Sequence, residues 1–459
     1  MKTDCTPKQV EIGEACGRRL VMKFDGKHVS SDGGLPLLRS VDQRFGLMKR
    51  MAACFRDHRN PELVEHPVEA LVRQRVFGIA CGYEDLADHQ SLRVDPLLAA
   101  VVGRSDPEER LASPSTLNRL ELTAKDATAK ERYRKVVYDE KQLSRLFVDV
   151  YLDAHRKPPK QVVLDLDATD DPIHGTQEGR FFHGYYGNYC YLPLYIFAGS
   201  FLLCAKLRTA NQDAAAGALD EVRRIVAAIR ERWPKVEIVL RADSGFARDE
   251  LMTWCEENGV EYVLGLARNS RLEKAIAGAL KEVRAESERS GEPARTFREL
   301  RYRTQDSWSR ERRVVAKAEH LKGDKANPRF VVTSFSILEH EAQTLYEDLY
   351  CARGDMENRI KEQQLDLYAD RTSAHTMRAN QLRLWFSSMA YVLVNHLRHF
   401  GLRGTELERA QAGTIRTRLL KVGAVVTLSV RRIVLSLSAA SPMRELFARV
   451  AEQVAAASG

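Results

Sequence analysis

Gln161-Val162-Val163-Leu164-Asp165-Leu166-Asp167-Ala168-Thr169 alternates in steps of two and reads as a strand. Val162, Leu164 and Leu166 fill one face. Val163, Asp165 and Asp167 fill the other, with the two carboxylates about 6.6 Å apart at ~3.3 Å per residue. The stretch follows a break in character at Pro158-Pro159. Downstream, residues 192–197 and 201–207 read as two returning strands and 213–232 as an amphipathic helix. Residues 236–240 read as a strand, 247–258 as a helix and 261–266 as a strand. The order β-β-β-α-β-α-β predicts an α/β fold, a mixed sheet with helices on its faces.

Two more acids stand where an apolar core does not explain them. Asp243 closes the apolar strand in Leu240-Arg241-Ala242-Asp243-Ser244-Gly245-Phe246, just before a helix. Glu357 lies in a long helix over residues 340–367. There Tyr350, Arg353, Glu357, Lys361 and Gln364, spaced 3, 4, 4 and 3, form a polar stripe. Beside it Leu345, Leu349, Met356 and Ile360 form an apolar stripe that can dock on the sheet. Taken singly, a strand-end Asp caps the next helix, and a mid-helix Glu pairs with Arg or Lys one turn away. Taken together, carboxylates converging to about 5 Å repel by roughly 3 kcal/mol per pair at an effective dielectric near 20. A divalent cation removes that cost, and oxygen-only ligands suit Mg2+ or Mn2+. Two such ions can activate an attacking water or hydroxyl and stabilise the leaving oxygen of a phosphodiester. Arg353 and Lys361 would then contact substrate phosphate.

The 459 residues allow two to four domains, and 44% hydrophobic with 29% charged residues is ordinary for a globular protein. The formal charge is +8 and the pI about 9.0. Residues 371–459 hold 13 Lys and Arg against 4 Asp and Glu, so this tail outweighs the whole chain in positive charge. Such a segment suits DNA, and a solvated surface accounts for it equally well. The eight cysteines are scattered without a C-x-x-C, which points to neither a zinc site nor a redox pair. Residues 1–18 lack a signal-peptide-like apolar stretch. Both facts fit a reducing cytoplasm. Residues 185–205 carry no charge, a length that can span a bilayer. Their five Tyr, one Asn, two Gly and one Pro favour two buried strands turning at Ala198-Gly199-Ser200 over a membrane helix.

Residues 1–157 read as a mostly helical DNA-binding region. Val68, Leu71, Val72, Val76 and Ile79 recur at helical spacing. Ser113-Pro114 opens a short polar helix that, following two others, has the place of a helix-turn-helix recognition helix. Thr116, Asn118 and Arg119 would face base edges or phosphates; an ordinary capped surface helix is the alternative. Residues 158–267 and 337–370 read as two parts of one core. Residues 268–336 read as a β-rich insertion between them, with a charged helical stretch at 272–289. Residues 371–459 form the basic C-terminal region, with a helix at about 377–400 and strand-like alternation at 414–437.

These motifs resemble insertion-sequence transposases with an RNase H-like core and an Asp–Asp–Glu triad. They look closest to the insertion sequence 1380 family, within the group bearing a Tyr–Arg–Glu–Lys signature. The resemblance covers nearly the whole chain. It rests on Asp165-Leu166-Asp167-Ala168-Thr169-Asp170-Asp171-Pro172, His183-Gly184-Tyr185-Tyr186-Gly187, Arg241-Ala242-Asp243-Ser244-Gly245-Phe246, Asn327-Pro328-Arg329-Phe330-Val331-Val332-Thr333-Ser334 and Tyr350-Cys351-Ala352-Arg353-Gly354-Asp355-Met356-Glu357-Asn358. It implies catalytic, metal-holding Asp167, Asp243 and Glu357, with Asp165 as a secondary candidate. Asp167 is preferred because Thr169 follows it, as in the family. Tyr350 and Arg353 match the signature. Its lysine falls at Gln364, and Lys361, one turn earlier, is the candidate replacement. In the related group a Trp of the insertion stacks on a flipped base, which here nominates Trp308; a Trp packed on a sheet is the alternative. The implied partners are the element's terminal inverted repeats and target DNA, with a dimer in the DNA complex. A nuclease on the same fold would cleave without strand transfer. A regulator with a retired core would bind DNA with strong salt dependence and no turnover.

Overall fold

The computed structural model describes residues 9–457 except 24, 27, 105, 107, 108, 323 and 324. Cys5 therefore lies outside the described residues, as does the first part of the segment read for a signal peptide. Among the described residues the main sheet has nine strands. They are β1 (Gln161–Ala168), β2 (Leu194–Ala198), β3 (Phe201–Lys206), β4 (Glu237–Ala242) and β5 (Glu261–Leu266), then β6 (Ala294–Tyr302), β7 (Arg312–Leu321), β8 (Lys325–Ala326) and β9 (Arg329–Thr333). The order across the sheet is β3-β2-β1-β4-β5-β9-β7-β6, with β8 paired on β7.

The local chemistry explains this order. Gly199, at φ +60°, turns β2 back into β3, so the uncharged stretch makes two antiparallel strands. No helix among the described residues is long and apolar enough to cross a membrane. β1 pairs antiparallel with β2 and parallel with β4, and β4 pairs parallel with β5. Parallel neighbours need crossovers, which the helices Ala218–Arg232 and Asp249–Glu257 supply. Strands covered on both faces are apolar on both, and Val239, Leu240, Val263 and Leu264 are wholly buried. On one face Leu164, Leu166, Ile238 and Leu240 meet Val222, Ile225, Leu251 and Met252 of the crossover helices. On the other, Val239, Val263 and Val331 meet Leu345 and Tyr346. The sheet is thus the middle layer of three.

The structure adds to some expectations and corrects others. The insertion joins the core sheet: after the helices Ser270–Ala275 and Ala277–Ser290, strands β6 to β9 extend it beyond β5. The N-terminal region is not all helical, because Gln9–Ala15 and Arg18–Lys23 form an exposed antiparallel hairpin. The segment from 414 begins as helix, and only Ala424–Leu428 and Ile433–Leu437 are strands. The basic C-terminal region is not a free cationic strip. Its helix Met377–His396 is buried almost throughout, as a helix apolar on every side must be. Many of its cations pair internally: Arg371 with Glu84 and Asp85, Arg383 with Glu121, Arg398 with Glu362, and Lys421 with Asp32. Gln381 on this helix accepts from the Leu207 N–H and donates to the Ala205 carbonyl, which covers the outer edge of β3.

The chain ends interlock at Gly33-Gly34, whose N–H groups donate to the carbonyls of Val422 and Leu420. A Cβ on Gly34 would lie 2.2 Å from the Leu419 carbonyl oxygen, whereas one on Gly278 meets nothing within 4 Å. Gly34→Ala should therefore cost about 1–3 kcal/mol through overpacking. Gly278→Ala, inside a helix, should add about 0.5–1 kcal/mol. Urea midpoints of the two variants check this: opposite signs are expected, and a neutral Gly34→Ala contradicts the interlock.

Candidate active site

Strand register places the first two acids. β1 and β4 run parallel with Asp165 opposite Arg241 and Leu166 opposite Ala242. Continuing one residue sets Asp243 beside Asp167, at the carboxyl ends of neighbouring strands about 4.8 Å apart. Asp243 also caps the short turn Ser244–Phe246, its Oδ1 accepting from the Gly245 N–H at 2.9 Å. The crevice outside the carboxyl ends of such strands is where α/β sheets place ligands.

The third acid comes from helical residues laid over the opposite face of the sheet. The run from Ala342 to Asp366 is irregular: wide π-type turns at Leu345–Tyr350 and Glu362–Asp366, a tight 3-10 turn at Cys351–Arg353 and a regular helix at Gly354–Lys361. Such irregular turns concentrate at functional sites, because they re-aim side chains. Arg353, Glu357, Lys361 and Gln364 all line one cleft of about 600 Å³ with Asp167 and Asp243. Tyr350 sits just behind it. A Cβ on Gly265 would lie 2.5 Å from the Tyr350 hydroxyl, so the glycine in β5 makes room for the ring.

Asp165 takes a different role from its neighbour on the same strand face. It is buried, and its Oδ2 accepts from Arg241 Nη2 at 2.8 Å while the Arg241 Nε holds its other oxygen. Arg241 Nη1 also donates to the Leu349 carbonyl. One guanidinium thus fastens β1, β4 and the site helix together. The sequence contained Arg241 beside Asp243, but only pairing register reveals that it claims Asp165.

Arg353 stands between Asp167 and Glu357. Its Nη1 is 3.3 Å from Asp167 Oδ2, and its Nη2 donates to Glu357 Oε1 at 2.7 Å. Asp167 is pushed up to about 6 by burial; the Arg353 guanidinium pulls it down, and the charges of Asp243 and Glu357 push it up again. Burial lowers Arg353, but Asp167 and Glu357 more than offset this and raise it. Among the described residues no three His, Cys, Asp or Glu side chains stand close enough to hold one ion as they are. The donor set nonetheless fits a hard divalent cation. Its donors are all oxygens, and Asp167 is costly to ionise without positive charge beside it.

The remaining candidates divide. Lys361 is exposed at the cleft. Gln364 faces inward, its Nε2 donating to the Asp170 carbonyl and to Asp171 Oδ1, both at 3.1 Å. Asp171 is wholly buried and raised by burial, a structural acid that sequence reading did not single out. Trp308 is not available to stack on a base: it is 3% exposed, packed edge-on to Tyr302 and under Arg312. The pairing of β6 with β7 draws the insertion into the main core, and Trp308 with it. Arg119 lies on the exposed side of the helix Pro114–Glu121, stacked on Tyr133, with Asn118 and Ser115 beside it and apart from the cleft.

Known proteins add to this. The sequence profile of the family described as transposase DDE domain group 1 matches residues 13–458. Among solved structures, the cryo-EM structure of the piggyBac transposase synaptic complex with hairpin DNA is similar at 11% identity, covering 83% of this chain and 79% of that chain with a TM-score of 0.43. A search of curated proteins finds no match.

The raised Asp167 has a measurable consequence. An acid held above its unfolded value binds its proton more tightly when folded. Its protonated form adds stability below about pH 4, and that contribution is lost as pH rises from about 4 to 6. In chelator-treated protein Asp167→Asn removes the ionisation. It should raise stability at pH 7 by up to about 3 kcal/mol, at 1.36 kcal/mol per unit, and the gain should vanish near pH 4. Tm compared across pH tests this; equal Tm values at pH 7 contradict it.

Proposed function

This chain belongs to the transposase DDE domain group 1 family, and from that premise we propose that it binds the terminal inverted repeats of its own insertion sequence, cuts the phosphodiester backbone and joins the 3′ ends to target DNA. The carrying observation is the meeting of Asp167, Asp243 and Glu357 around one cleft that also holds Arg353 and Lys361. The sheet order β3-β2-β1-β4-β5, antiparallel then parallel, supports reading the core as RNase H-like, with β6 to β9 as its insertion. Tyr350, Arg353 and Glu357 support assignment to the Tyr–Arg–Glu–Lys group and the insertion sequence 1380 family. Lys361 takes the lysine's role there, since Gln364 is committed to Asp170 and Asp171. The domain plan follows: 1–157 for DNA binding, 158–267 and 337–370 for the core, 268–336 for the insertion, and 371–459 as the C-terminal region. The working protein is a dimer on DNA, acting in the cytoplasm at the nucleoid.

Asp167, Asp243 and Glu357 would hold Mg2+, with Mn2+ substituting. Bound there, the ions supply the Lewis acidity that activates the attacking water or 3′-hydroxyl and stabilises the leaving oxygen. The protein's own groups do the rest. The Asp165–Arg241 pair keeps the acid-bearing strands and the site helix in register. Arg353 exchanges its carboxylate partners for a DNA phosphate, whose geometry its planar fork matches. Lys361, on a flexible stem at the rim, neutralises a neighbouring phosphate as a point charge. Tyr350 braces the helix against Gly265 so that Arg353 and Glu357 keep their aim.

The test is cleavage and joining of DNA that carries the element's inverted ends, with and without Mg2+ or Mn2+. Asp167→Asn, Asp243→Asn and Glu357→Gln should each lose several kcal/mol of transition-state stabilisation, roughly 10³-fold in rate. Full activity in any of the three contradicts the assignment. Cleavage without strand transfer would indicate a nuclease instead.

A further inference from the structure

The burial of Trp308 leaves no exposed aromatic at its place in the insertion, yet aromatic rings crowd the rim of the carboxylate cleft. Phe181–His183 and Asn188–Tyr191 pair as a short hairpin, with Phe182 directly opposite Tyr189. Its tip carries Tyr185 and Tyr186. Tyr185 is 87% exposed, Phe182 58% and Tyr189 47%. Isolated exposed rings are common, but a cluster on one small hairpin marks a contact surface.

The hairpin is continuous with the cleft. His183, Tyr185 and Tyr186 line it together with Asp167. The Tyr186 hydroxyl approaches the Ala168 carbonyl at 3.5 Å, and Asn188 Nδ2 donates to Asp170 Oδ2 at 3.1 Å. Gln364 holds the same Asp170 from the helix side. These bonds set the hairpin in a fixed position beside the acid on β1. The rings meet edge to face, Tyr185 on Tyr186 at 86° and Phe182 on Tyr189 at 73°, and Tyr185 and Phe182 keep most of their surface open. Cations flank them: Arg180 stacks over Tyr189 at 4.9 Å, and Lys361 stands at the cleft. Exposed aromatic rings with cations near them, beside a cleft lined by acids and Arg353, match the chemistry of unpaired nucleotides, whose bases stack on rings while cations follow the backbone.

We propose that this hairpin is a base-stacking platform, taking unpaired nucleotides of the DNA strand that enters the carboxylate cleft, with Tyr185 and the Phe182–Tyr189 pair as its stacking residues. The proposal rests on the transposase reading and adds to it the element that holds a strand after its bases have left the duplex.

The test uses the full chain in chelator, where no cleavage occurs. A fluorescent oligo(dT) 12-mer and a matched duplex are titrated by anisotropy. Wild type should bind the single strand. Tyr185→Ala and Phe182→Ala should each weaken that binding roughly five- to hundredfold, the range for loss of one stacked base. Duplex binding should change little, and Tyr185→Phe should restore the wild-type value. A Tyr185→Trp variant should show quenched fluorescence on adding the oligonucleotide. Single-strand affinity unchanged in both alanine variants, or no single-strand binding by wild type, overturns the platform. So does a shift of the alanine variants from dimer to monomer in sedimentation with oligonucleotide binding intact, which would make the hairpin a contact between copies. Wild type that binds the 12-mer with the expected alanine losses, yet never cuts end-bearing DNA with Mg2+ or Mn2+, supports the platform and contradicts the transposase reading.

Discussion

The buried pair of Asp165 and Arg241 is the interaction on which the site depends. Its guanidinium reaches two strands and the Leu349 carbonyl at once. Removing one partner of such a pair strands a charge in the core and costs about 3–5 kcal/mol. It also fixes geometry. With Asp165 held opposite Arg241, the next residues on each strand bring Asp167 and Asp243 out side by side at the sheet's carboxyl edge. With Leu349 tied to the same group, the helix that follows has a set distance from both. The two aspartates of one strand face therefore divide the work, the inner one holding the frame and the outer one facing the cleft.

That frame brings like charges together, and Arg353 offsets their repulsion. The guanidinium lies against Asp167 and donates to Glu357, in the position where positive charge is needed. Burial and the charges of Asp243 and Glu357 make Asp167 hard to ionise, so a cation beside it would be strongly favoured. Under the proposed function, a divalent ion held by these acids would take over that charge and release the guanidinium. In that reading a substrate phosphate would be its next partner. Gln364 ties the Asp170-Asp171 segment to the helix, so the floor of the cleft moves with its wall.

Much of this was legible in the sequence, for stated reasons. Alternation marked β1, and apolar runs marked β2 to β5, because buried strands have strong patterns. Asp243 and Glu357 stood out because acids beside apolar runs demand an explanation. The hairpin Gln9–Lys23 gives a weak signal because neither face is buried: Val10 and Ile12 alternate with polar residues over only a few positions, and Leu20-Val21-Met22 in the partner strand does not alternate. The charge count of the tail says nothing of partners. Its arginines meet Glu84, Glu121 and Glu362, residues far away or on another element. Trp308 is packed on a sheet, the alternative to base stacking, because β6 and β7 join the main sheet and bury it. The choice of Asp167 over Asp165 needed a resemblance at first; strand register now gives a physical reason, because Arg241 claims Asp165.

The most direct test of the account is a crystal structure of the protein soaked with Mn2+, read by anomalous scattering. The account predicts a peak within ligand distance of both Asp167 and Asp243, with Arg353 drawn away from Asp167. Manganese bound elsewhere, or a saturated soak that leaves the Arg353 contacts to Asp167 and Glu357 intact and no peak between the strands, would contradict it.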